Sequence, residues 1–132
     1  NTNKIVSEKF VQTVNDFFNL SVACKPLMEK LLYKHCTACC ESTSYGFEIK
    51  DGETETEANL REFGVNDGTT AFEKSNLDHV IIEEDDLRKN RFVKIVFYPE
   101  WEQEQGCELI LKNGELLDFY GESDTYLGQF DN

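Results

Sequence analysis

Residues 91–120 read RFVKIVFYPEWEQEQGCELILKNGELLDFY, and this stretch decides the fold. In Arg91 to Tyr98, Val93, Ile95 and Phe97 alternate with Phe92, Lys94, Val96 and Tyr98, the period-two pattern of a strand. Both faces are largely apolar, which predicts a central position in a sheet. Pro99 ends the strand because it has no N–H to give to a ladder. Cys107 to Lys112 and Glu115 to Tyr120 then form a hairpin around Asn113-Gly114, a dipeptide that tolerates the positive φ angles of a two-residue turn. Such a turn sets Lys112 opposite Glu115 and Ile110 opposite Leu117, an ion pair beside an apolar pair.

Working outward, His79 to Glu83 supplies a further strand, and Ser44 to Lys50 a short one closed by the Asp51-Gly52 turn. The first third is helical in pattern. Ile5, Val6, Phe10, Val14, Phe17 and Phe18 make an apolar stripe between Asn3 and Asn19. A second helix opens at Pro26, a residue suited to the first helical turn, and runs through Leu31, Leu32, Cys36, Cys39 and Cys40. The two are expected to form an antiparallel pair. Residues 53–68 read either as a helical turn around Ala58 to Phe63 ended by Gly64, or as a loop. The prediction is an α+β fold, two N-terminal helices packed on an antiparallel β-meander of about four to five strands, with residues 1–132 as a single domain.

The chain has 132 residues, 36 of them Leu, Ile, Val or Phe, enough apolar material for one core and well clear of disorder. Its charge is uneven. Residues 51–132 carry 21 acidic against seven basic side chains, whereas residues 1–50 carry five against six, within a net charge of −13. Such a field repels nucleic acid and anionic membranes and attracts basic proteins. No apolar run reaches the ~20 residues of a membrane span, and Asn1 to Lys9 lacks the apolar segment of a secretory signal, so a cytoplasmic location is expected. The five cysteines are odd in number and crowded, which suits reduced thiols better than disulfides.

Several constellations invite a chemical reading. His35, Cys36, Cys39 and Cys40 offer thiols and an imidazole, and Cys36 and Cys39 have C-x-x-C spacing, which suits zinc or thiol chemistry. No second ligand pair follows, and the same cysteines continue a helix's apolar stripe, so buried core residues are the plainer account. His35 and Cys36 would point about 100° apart on a helix, leaving His79 with Cys107 as the geometrically open nucleophile pair. Asp118 and Glu108 sit among apolar neighbours as a raised-pKa acid would, although strand alternation explains both as solvent-facing. The glycines form no phosphate-binding motif. Neither a catalytic residue nor a metal or cofactor is assigned.

The acidic, aromatic-rich C-terminal region remains. Glu100, Trp101, Glu102, Glu104, Glu115, Asp118, Tyr120, Glu122 and Asp124 are the candidate partner-binding set, rings serving as anchors and carboxylates as steering charge. The segment Trp101-Glu102-Gln103-Glu104-Gln105-Gly106, after an aromatic strand end and before an Asn-Gly hairpin, resembles the C-terminal part of a loose group of small uncharacterised bacterial domains. Some of these are similar to immunity proteins of toxin systems. At the position before the glycine, where the resemblance leads us to expect His, this chain has Gln105. The resemblance implies a protein that blocks a cognate toxin by binding it; the acidic charge makes that partner a basic one such as a nuclease domain, and the expectation is a non-enzymatic inhibitor, monomeric or weakly homodimeric. The alternatives are a small zinc- or thiol-dependent enzyme using the cysteine cluster, or an accessory domain that dimerises through a sheet edge.

Overall fold

The computed structural model describes residues 7–20, 22–83 and 87–132. Helix α1, Glu8–Phe18, starts where the Ser7 hydroxyl accepts the Phe10 N–H at 3.1 Å, satisfying one of the orphan donors of a first turn. The expected helical residues before Ser7 lie outside the described residues. Helix α2, Lys25–Ser42, carries proline in its first turn as predicted. Its buried residues, Leu31, Leu32, His35, Cys36, Cys39 and Cys40, form two adjacent rows, so it buries a wide face between other elements.

Residues 53–68 are ordered. Thr54 and Glu57 form a reciprocal capping box that opens α3, Glu55–Phe63, and Gly64 closes it at φ 72°. A second box, Asp67 with Thr70, opens the short α4, Gly68–Glu73, which the sequence pattern did not reveal. Asn59 of α3 donates from Nδ2 to the carbonyls of Cys40 and Thr43, both at 3.0 Å, and so caps the end of α2 from outside.

Strands β1 (Leu77–Ile82), β2 (Phe92–Phe97), β3 (Cys107–Lys112) and β4 (Glu115–Gly121) form one antiparallel sheet in the order β1-β2-β3-β4. The predicted central strand is internal, which is why both its faces are apolar. The fold is therefore α+β with four helices and four strands among the described residues, and two of those helices lie beyond the N-terminal third. Nor do α1 and α2 pair as expected: α1 packs on β1 and β2, while α2 packs on α3, α4 and β4.

Ser44 to Lys50 is not a strand. Gly46 at φ 84° interrupts its extended run, and the Tyr45 and Phe47 rings pack edge-on against Phe63 instead of joining the sheet. The hairpin pairs Lys112 with Glu115 as its turn requires, but the ladder shifts between Leu111 and Leu109, so Ile110 and Leu117 meet in an apolar cluster and not as register partners.

One sheet face, with Val93, Ile95, Phe97, Cys107, Leu109 and Leu111, packs on α2. The other buries Phe92 and Ile110 beneath a C-terminal 3₁₀ turn, Leu127–Phe130. Among the described residues no helix is long and apolar enough to cross a membrane.

Candidate functional site

The connection from β2 to β3 builds the site. Glu102 folds it into a turn by accepting the N–H groups of Glu104 at 3.2 Å and Gln105 at 3.0 Å. Gly106, at φ 72°, completes the turn where a Cβ would lie 2.6 Å from the Phe97 carbonyl oxygen, so no other residue fits without displacing backbone. This turn aims Trp101 inward. Its ring is 2% exposed and its Nε1–H donates to His35 Nδ1 at 3.0 Å. Trp101 is thus a core residue, not the exposed interface anchor that the acidic flanks suggested.

The indole bond sets the state of the imidazole. An Nδ1 that accepts leaves the ring proton of the neutral form on Nε2. Nε2 then faces two groups, Glu122 Oε2 at 3.1 Å and Cys39 Sγ at 3.5 Å. His35 and Cys39, one turn apart on α2, point the same way, while Glu122 arrives from the end of β4. The Tyr120 ring lies edge-on to the imidazole at 5.4 Å, fixing it from the side.

This arrangement divides the expected cysteine cluster. Cys36 and Cys40 lie on the neighbouring row of α2, where both are buried. Within reach of a single ion are His35, Cys39 and Glu122, whose ligand atoms lie within 4.8 Å of one another. The sequence reading took the C-x-x-C pair as the signal. The more telling spacing was H-x-x-x-C, and Glu122, 87 residues beyond His35, had no signal of its own.

The Cys36, Cys39 and Cys107 thiols are poor nucleophiles. Burial, and then the charges of Glu122 and Glu102, push Cys39 up to about 12, the reverse of the electropositive setting that activates a thiolate. The hydrogen bond with Cys40 and burial raise Cys36, and burial raises Cys107. An imidazolium partner would set an Nδ1 proton against the indole N–H. The alternative pair, His79 with Cys107, is ruled out by the sheet. His79 pairs with Val96 and Cys107 with Phe97, neighbours on β2 that face opposite sides. His79 is exposed and bonded to Asp78 at 2.6 Å.

Glu108 corrects another expectation. It is 5% exposed and points beneath the tail, where it accepts the N–H groups of Thr125 at 3.0 Å and Asp124 at 3.3 Å, with Lys94 Nζ at 3.9 Å. Its role is to hold the turn after β4. Asp118 is exposed as expected and pairs with Lys30 at 3.6 Å.

The remaining acidic residues fall into two places. Glu100, Glu102 and Glu104 lie on the β2–β3 connection, and Glu122 and Asp124 on the turn after β4. Ser123 ties the two segments together, its N–H donating to the Gln105 carbonyl at 3.3 Å and its hydroxyl to Gln105 Oε1 at 2.7 Å. These five carboxylates therefore share one end of the sheet, beside an open concavity of about 280 Å³ lined by Thr43, Tyr45 and residues 100–104. Glu115 sits at the hairpin tip, a strand's length away, about 20 Å at the usual rise. Tyr120 is half-buried beside His35.

Neither the curated proteins nor the solved structures include a significant match to this chain. Nothing in the comparisons links it to toxin-immunity proteins. One family does match, over residues 1–127, and the chain belongs to it: Domain of unknown function (DUF6985).

Proposed function

We propose that the protein is a non-enzymatic acidic binding protein of the inhibitor or immunity type, which neutralises a basic partner such as a nuclease-like toxin domain. The observation that carries this reading is the convergence of Glu100, Glu102, Glu104, Glu122 and Asp124 on two segments joined through Ser123 and Gln105. A nuclease needs a basic cleft for its substrate, and fixed carboxylates on a rigid sheet end imitate phosphate charge there. The Cys39 thiol, held in its protonated form beside Glu122 and Glu102, favours binding over covalent chemistry.

Glu102 shapes its own turn, so the clean perturbation is Glu100→Lys with Glu104→Lys, both exposed. Basic proteins retained from host lysate at low salt and released at high salt supply the partner for stopped-flow measurement. The double variant should slow association at least about tenfold at low salt and flatten its salt dependence, while Glu115→Lys, at the far end, changes it less than about twofold. Retention of no basic protein, or an on-rate unaltered by the double reversal, overturns the reading.

A further inference from the structure

We infer that His35 is the positioning residue of the acidic end of the sheet: its neutral imidazole clamps the β2–β3 connection and the turn after β4 at once, and its protonation opens the clamp. One side of the ring must accept and the other must donate, because the Trp101 indole is a pure donor and the Glu122 carboxylate an acceptor. Nδ1 accepts the indole N–H at 3.0 Å, and the Nε2–H donates to Glu122 Oε2 at 3.1 Å. His35 is 1% exposed and Trp101 2%, so an indole N–H that loses this partner has no water to replace it.

Ser123 and Gln105 already join the two segments to each other. A tie between two loops leaves both free to move together, whereas His35 fixes them to a helix. That helix is a firm base, with Leu31, Leu32 and Cys36 buried and its end capped by Asn59. The ring is steadied from the side by Tyr120, edge-on at 5.4 Å. On the connection, the Tyr45 hydroxyl donates to the Trp101 carbonyl at 2.7 Å, so backbone and indole are held together. The carboxylates of Glu100, Glu102 and Glu104 thus keep their place relative to Glu122 and Asp124 through one imidazole.

A second ring proton goes to Nδ1, where it meets the indole N–H, donor against donor across 3.0 Å. Trp101 loses its acceptor and the connection is released from α2. Glu122 keeps its bond, now assisted by charge, so acid frees one segment and holds the other. The ionisable groups around the ring are Cys39 on α2, Cys107 on β3, Tyr120 on β4, Glu122 on the turn and Glu102 on the connection. Burial pushes Cys39, Cys107 and Tyr120 up, so these stay protonated, and the carboxylates of Glu122 and Glu102 are the charges that draw a proton to His35.

The clamp belongs to the free protein and is tested without a partner; only its bearing on binding rests on the proposed interface. Nitrogen NMR at about pH 8 should show the His35 proton on Nε2 and a pyridine-type Nδ1. The indole N–H of Trp101, the single tryptophan of the chain, should be shifted downfield and slow to exchange. Lowering the pH toward about 5.5 should shift that signal and the Trp101 emission in one titration, and the amides of Gln105 and Ser123 should move with them. His35→Gln offers an amide oxygen to accept and an N–H to donate but takes up no proton, so it should keep the slow indole proton and lose the titration. Glu100→Lys with Glu104→Lys should leave the titration in place. A proton on Nδ1 at the higher pH, an indole signal that does not titrate before unfolding, or a titration that survives His35→Gln overturns the inference. The first two readings use the unaltered chain and decide the matter even if the variant does not fold. Failure to capture a basic protein leaves all of these readings standing and counts against the interface alone.

Discussion

Replacing Glu108 by alanine separates the tertiary structure from the strand pattern most sharply. Alternation along Cys107 to Lys112 places Glu108 in solvent, where its removal would change stability by less than about 0.5 kcal/mol. The structure instead has its carboxylate beneath the tail, accepting the Thr125 N–H at 3.0 Å and the Asp124 N–H at 3.3 Å. Hydrogen bonds to a charged acceptor contribute about 1.5–3 kcal/mol each, the longer one at the low end. The Lys94 ammonium, 3.9 Å away on a side chain 14% exposed, would also lose its counter-charge. Together these give a loss of about 3–5 kcal/mol, the range found on breaking buried ion pairs. Glu108→Gln keeps an oxygen for Thr125 and should cost about 1–2 kcal/mol. Urea unfolding at neutral pH under reducing conditions, with Glu104→Ala as the exposed control, measures all three. A loss below about 1 kcal/mol for Glu108→Ala, comparable to the control, would refute the buried placement and the account of the turn that presents Glu122 and Asp124.

Two further outcomes follow from the groups whose protonation the fold alters. Hydrogen bonds from Arg61 and the Lys50 N–H lower Glu53 from 4.5 to about 2, so its folded pKa lies below the unfolded one; its contribution is full above 4.5 and fades as pH falls toward 2. Glu53→Gln should therefore make the fall of stability across that window shallower, and an unchanged slope in acid titrations followed by circular dichroism would contradict the pairing with Arg61. In the native protein, Cys24 should be the one thiol of five that reacts promptly with a disulfide reagent at pH 8, because Cys36, Cys39, Cys40 and Cys107 are buried; fast reaction of a second thiol before unfolding would contradict that burial.

Local chemistry in the sequence was enough to determine the α+β class, the Cys107–Lys112 strand, the Asn113-Gly114 turn and the proline start of α2. Each depends on side-chain period or on backbone angles that only a few residues tolerate, and these act within a few positions of chain. It also determined the acidic balance of the C-terminal region. Tertiary structure decided what depends on distant partners. Ser44 to Lys50 alternates like a strand but pairs with no strand and turns its rings to Phe63. Glu108 alternates like a surface residue but lies under a tail that the strand pattern does not include. Trp101 looks like an interface anchor amid glutamates, yet the turn closed by Gly106 sends it to His35. The meeting of His35 and Cys39 with Glu122 joins α2 to the far end of the chain, and period-based reading cannot see a contact set by how a sheet and a helix cross.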